Sequence, residues 1–141
     1  MKTMKKFWKY FINFIVLFLL VSGLTYIGLG KLPNKSAFND ISYSSYVGES
    51  FSLTISKCEA SKNSVHVIGS LTNKSDSLLT NKYLQFNFIG SNGSSLGLKF
   101  EKINYFNVNE NVPFNISGSF EDVSSVEISL IDELPQDITT L

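Results

Sequence analysis

The sequence predicts an all-β domain, a β-sandwich of six or seven strands, set behind a single apolar N-terminal helix. Three observations lead there. From Ser50 onward, apolar residues recur at every second position in short runs. Turn-forming pairs such as Lys62-Asn63 and Asn92-Gly93 separate these runs, and no helical period appears beyond residue 30. Short strands at regular spacing build a sandwich or a barrel, and of the two we favour the sandwich.

The first element is the helix. Lys2, Lys5, Lys6 and Lys9 precede an uncharged run of nineteen residues from Phe11 to Leu29. As a helix rising about 1.5 Å per residue it measures roughly 28 Å, close to the hydrocarbon thickness of a bilayer. Membrane lipid is therefore its expected partner. The anchoring side chains are Phe11, Ile12, Phe14, Ile15, Val16, Leu17, Phe18, Leu19, Leu20, Val21, Leu24, Ile27 and Leu29. Asn13 lies in the first turn, within reach of headgroups, and Ser22 and Thr25 can return their hydroxyls to the backbone. Four lysines before the run against Lys31 and Lys35 after it place the N-terminus in the cytoplasm and the rest of a single-pass chain outside the cell membrane. Phe7, Trp8, Tyr10 and Tyr26 sit where amphipathic rings favour the interface. A secretory signal peptide has the same layout, with Gly28-Leu29-Gly30 as its cleavage site. The apolar run exceeds the usual length of cleaved signals, so an uncleaved signal anchor is favoured and a secreted product is the alternative. The chain thus divides into a basic segment and anchor at 1–30, a linker at 31–40, an extracytoplasmic sandwich at 41–131 and a tail at 132–141.

Beyond residue 30, eight lysines face twelve acids, a net charge of −4. All basic residues are lysines, which removes the forked guanidinium contacts that nucleic-acid readers depend on, so nucleic acid is not an expected partner. The single cysteine, Cys58, leaves no internal disulfide, and stability must come from packing. Abundant Lys, Asn, Ile and Ser without Arg resembles the usage of AT-rich Gram-positive bacteria. Asn34, Asn73, Asn92 and Asn115 each begin an Asn-x-Ser sequon, a number that chance explains in so Asn- and Ser-rich a chain.

In chain order, Ile41–Val47 is expected as an edge strand carrying Tyr43 and Tyr46. Phe51, Leu53 and Ile55 then face the core, with Ser52, Thr54, Ser56 and Cys58 on the other side. Lys62-Asn63 turns the chain into a strand whose inner face is Val65, Val67, Gly69 and Leu71, with His66 outward. Leu84, Phe86 and Phe88 line a central strand, and Asn92-Gly93 leads into another with Leu96, Leu98 and Phe100 inward. Ile103 to Asn111 lacks alternation and reads as a connection. Phe114, Ile116, Gly118 and Phe120, starting at Pro113, give a fifth clear strand, and Val126, Ile128 and Leu130 a sixth.

Val65-His66-Val67-Ile68-Gly69-Ser70-Leu71-Thr72-Asn73-Lys74-Ser75-Asp76, with Leu84 to Phe88 and Val112-Pro113-Phe114, resembles the FxLYD-type immunoglobulin-like domain of bacterial envelope proteins over roughly residues 50–130. Phe86-Asn87-Phe88-Ile89-Gly90 stands where that family carries Phe-x-Leu-Tyr-Asp. The resemblance implies an immunoglobulin-like antiparallel sandwich in an extracytoplasmic setting. It implies no catalytic residues.

No reaction chemistry emerges. Gly93-Ser94-Ser95-Leu96-Gly97 matches the serine hydrolase elbow G-x-S-x-G, but a strand pattern follows where a helix is required, and the sole histidine, His66, precedes the serine. His66 with Cys58 cannot complete a zinc set. Asn109, Glu110 and Asn111, or Glu121 with Asp122, offer oxygen ligands without calcium-loop spacing. The expectation is a non-enzymatic protein without cofactor or metal, tethered to the membrane and presenting its sandwich for protein contact or a structural role. A secreted binding or immunity-type factor is the alternative. Ile103, Tyr105, Phe106 and Val108 form the candidate surface for an envelope protein or glycan partner, or else a plug closing one end of the sandwich.

Overall fold

The computed structural model describes residues 2–29 and 37–136, with side chains at 4–22 and 37–136. They form two compact units that divide after Lys35. The first holds a helix, α1 (Lys2–Leu29). The second is built from β1 (Asn39–Asp40), β2 (Ser42–Tyr46), β3 (Phe51–Ser61), β4 (Ser64–Asn73), β5 (Leu79–Gly90), β6 (Ser95–Phe106), β7 (Asn111–Gly118) and β8 (Val123–Ile131). The all-β expectation holds for this unit, with eight strands among the described residues in place of six or seven.

Two four-stranded sheets, ordered β1-β3-β4-β7 and β2-β8-β5-β6, share one core. Every strand pairing is antiparallel except β2 with β8, which is parallel from Ser42↔Ser125 to Tyr46↔Ser129. The hairpins β3–β4 and β5–β6 each stay within a sheet, and the connections β4–β5, β6–β7 and β7–β8 cross between sheets. Aromatic rings join the layers. Phe86 meets Phe114 with centroids 5.2 Å apart, and Phe51 meets Phe106 at 5.9 Å. Val65, Val67, Leu71, Leu84, Phe86, Phe88, Phe106, Val126 and Ile128 are fully buried. Burial of a large apolar side chain contributes roughly 1.5–3 kcal/mol, so these positions dominate the stability of a unit without disulfides.

Four expectations are corrected here. Asn39 and Asp40, assigned to the linker, pair with Ala60 and Glu59, so the sheet begins before residue 41. The β3 alternation that places Phe51, Leu53 and Ile55 toward the core does not continue to Cys58: a bulge between Ile55 and Lys57 inserts one residue and exchanges the faces, so Cys58 and Ala60 point inward. The segment after Ile103 is not irregular, because β6 runs on to Phe106.

The fourth correction concerns β6 itself. Its partners on β5 are Gly97 for Phe88, Lys99 for Phe86 and Glu101 for Leu84, and directly opposed residues share a face. Gly97, Lys99 and Glu101 therefore lie on the inner side, and Leu96, Leu98 and Phe100 on the outer. A bulge between Phe88 and Ile89, beside the Asn92-Gly93 turn, sets this register. Gly93 takes φ +79° and donates its N–H to Gly90 O at 2.9 Å, while Gly90 N–H bonds Ser94 O at 2.9 Å. This is a type I turn closed by a bulged glycine, not the two-residue turn that Asn-Gly suggests. The ring of Phe120 covers the inner side of Gly97, where an added methyl would come within 2.4 Å of it, and stacks on Phe88 at 4.8 Å.

Among the described residues, no helix is long and apolar enough to cross a membrane. The described side chains of α1, residues 4–22, take in Lys5, Lys6 and Lys9, whereas the uncharged run from Phe11 continues past them to Leu29. Side chains from Phe11 to Val21 are exposed on every face of the helix. Leu24, Ile27 and Leu29 belong to α1, but their side chains lie outside the described residues, as do linker residues 31–36 and tail residues 137–141.

Candidate functional site

The strand β6 ends at Phe106, and residues 107–110 turn the chain into β7 at one end of the sandwich. The proposed partner surface divides there. Ile103 and Phe106 are buried among the core residues, whereas Tyr105 is 70% exposed and Val108 43%. The first two belong to the core, leaving Tyr105 and Val108 as surface. Tyr105 lines a shallow cleft with Thr80, Asn81 and Asn104.

That end is organised by a residue the sequence presents as ordinary loop chemistry. Asn73 is fully buried, and its amide donates to Ser77 O at 3.0 Å and to Phe106 O at 2.9 Å. Its side-chain oxygen accepts from Ser75 N at 2.9 Å and from Ser75 Oγ at 2.6 Å. Its backbone bonds Glu110 O at 3.0 Å and Asn109 N at 2.7 Å. One side chain thereby ties the β4–β5 loop, the end of β6 and the 107–110 turn together, with both donors and its acceptor used. The Glu110 carboxylate accepts from Asn107 N at 2.7 Å and from Asn107 Nδ2 at 2.9 Å, so it serves the turn. Asn111 donates to Ser70 Oγ and Thr72 Oγ1 across the strands. These carboxylate and amide groups are committed to local structure, and the described residues contain no cluster of three or more His, Cys, Asp or Glu side chains suited to a metal ion.

The remaining chemical candidates are scattered over the domain. Ser95 starts β6 and its hydroxyl donates to Asn87 Oδ1, with a strand and not a helix after it. His66 sits on β4 in the opposite sheet, half-exposed, its Nδ1 4.0 Å from Glu59 Oε1 and its ring 4.8 Å from Phe38. The motif's serine and the histidine are therefore in different sheets. Cys58 is 7% exposed, and burial, helped by the nearby Asp40 charge, pushes its thiol up from 9.0 to about 11. A buried neutral thiol is a poor nucleophile, and the expected position of Cys58 on an outer face does not survive the bulge.

A surface the sequence reading missed lies on the outer side of the second sheet. Leu96 and Leu98 are each 38% exposed, with Phe100 half-buried beside them on β6 and Tyr83 and Ile89 on β5. Lys102 reaches over the Tyr83 ring, its Nζ 5.9 Å from the centroid. Alternation alone assigns the apolar set inward, so only the register marks these residues as surface.

Comparison of the chain with models of known protein families, with curated proteins and with solved structures finds no match in any of the three.

Proposed function

We propose that this is a non-enzymatic, membrane-tethered envelope protein whose β-sandwich is displayed outside the cell for protein contact or a structural role. One observation carries the reading: the uncharged run Phe11–Leu29, preceded by four lysines, lies on α1, where the side chains from Phe11 to Val21 are apolar on every face apart from Asn13, and it is followed by a separate compact unit from Ser36. A helix that is hydrophobic all round belongs in a protein core or a bilayer. The lysine bias then directs the sandwich outward.

Strand order supports an immunoglobulin-like reading and, with it, the FxLYD-type resemblance. Strands β3, β4 and β7 take the places of A, B and E, and β6, β5 and β8 those of C′, C and F. The place of G beside F is filled by β2, running parallel to β8. The scattered placement of Ser95, His66 and Cys58 supports the non-enzymatic part of the reading.

Protease treatment of intact cells expressing the full chain tests it. The sandwich is expected to be digested along with an external marker while a cytoplasmic tag on Met1 stays protected, and the chain is expected to remain with membranes after alkaline carbonate washing. A sandwich protected alongside cytoplasmic markers, or a full-length chain released by carbonate, overturns the proposal.

A further inference from the structure

The four sheet edges differ in what they offer to another chain. β1 has two residues and β2 five, and β7 carries Pro113, which lacks a donor. β6 is a twelve-residue edge strand without proline, so it presents the longest run of backbone groups free to pair. Its inner-side charges, Lys99 and Glu101, repel a generic apolar strand, and neither has an ion-pair partner among the described residues.

Those same charges fit one occupant, and we propose that β6 pairs antiparallel with β6 of a second copy of this chain, centred on Phe100. A two-fold axis through that point sets Lys99 of each copy opposite Glu101 of the other. It also joins the outer apolar rows, with Phe100 against Phe100 and Leu98 beside the stem of Lys102. Directly opposed pairs sit close enough for opposite charges to attract and for like charges to repel. The neighbouring registers that keep like faces together fail on this ground: centring on residue 99 opposes two lysines, and centring on residue 101 opposes two glutamates. The joined eight-stranded sheet leaves neither β6 edge open. The inference is independent of the membrane reading, since it uses the sandwich alone.

Cysteine cross-linking of the full chain in cells tests the register. Phe100→Cys places a thiol opposite its own counterpart, whereas Leu96→Cys on the same outer row lies roughly 27 Å from its counterpart at about 3.4 Å per residue. Native Cys58 is buried and contributes no background. Under diamide, which takes up the two electrons and two protons released, Phe100→Cys is expected to yield disulfide dimer at least tenfold faster than Leu96→Cys. Adding Lys99→Glu to Phe100→Cys is expected to slow cross-linking several-fold, and adding Glu101→Lys to that variant to restore it. Equal rates at 96 and 100, no dimer at 100, or a single charge reversal without effect overturns the pairing. A monomer by sedimentation of the detergent-solubilised wild-type chain at every concentration does so independently of any variant.

Discussion

The strands β5 and β6 are equal in length and paired along most of it, yet Leu84, Phe86 and Phe88 of β5 and Leu96, Leu98 and Phe100 of β6 lie on opposite sides of the same sheet. On β5, flanked by β8 and β6, Leu84, Phe86 and Phe88 are buried against the facing sheet. On β6 the inner row includes Gly97, Lys99 and Glu101, and Leu96 and Leu98 stay partly in water. Position in the sheet, not the hydrophobicity of the run, decides what an apolar residue contributes. A central strand is covered on its inner face along its length. An edge strand is covered only where a neighbour reaches it, as Phe120 reaches Gly97.

The largest effect should come from the buried rings. Phe86→Ala is expected to cost about 3–5 kcal/mol, and Phe88→Ala a similar amount, read as loss of the thermal unfolding transition by near-ultraviolet circular dichroism. Asn73→Ala should follow at roughly 2–3 kcal/mol, because it leaves buried carbonyls without donors. Hydrogen exchange in that variant should quicken at the 73–77 and 107–110 loops before the rest of the domain. Gly97→Ala is expected to cost about 1–3 kcal/mol by displacing the Phe120 ring, and the smaller aliphatic side chain of Phe120→Leu should relieve much of it. The smallest change belongs to Leu98→Ala, at well under about 1 kcal/mol. A cost for Leu98→Ala rivalling that for Phe86→Ala would reverse the assignment of faces on β6.

The thiol of Cys58 sharpens the same contrast through pH. Its folded pKa of about 11 lies above the ordinary 9.0, so the folded state holds the proton more tightly than the unfolded state. That contribution is intact below pH 9.0 and is lost as pH rises toward about 11. Cys58→Ala should therefore show a shallower fall in melting temperature across this window than the parent chain. A maleimide should label the native parent negligibly at pH 7, where a thiol on an outer face would react.

Much of the fold is legible because central strands obey a simple rule. Phe86, Phe88, Val65, Val67, Val126 and Ile128 follow the two-residue period to the core, and Pro113 stands on an edge strand as its missing donor requires. The errors at Cys58 and at Leu96 to Phe100 share one cause. A bulge adds a residue without any mark in the polarity pattern, and everything beyond it changes sides. The pairing of Asn39 and Asp40 and the parallel place of β2 depend on partners from Glu59 to Ser129, which no local pattern reveals. Of the candidate partner surface, the apolar character of Ile103 to Val108 is plain in the sequence, but its division into core and surface is set by how β6 ends.

The burial of Asn73 makes sugar addition and folding competitors for a single nitrogen. Asn73-Lys74-Ser75 is an acceptor sequence, and a transferase meeting the emerging chain would find that amide still open. Once the glycan is attached, Nδ2 keeps one hydrogen where the fold uses two, on Ser77 O and Phe106 O, and the site has no accessible surface to admit a saccharide. In a eukaryotic secretory host the outcome is a race decided molecule by molecule. A chain glycosylated first is barred from closing this end of the sandwich, and a chain that folds first is no longer a substrate there.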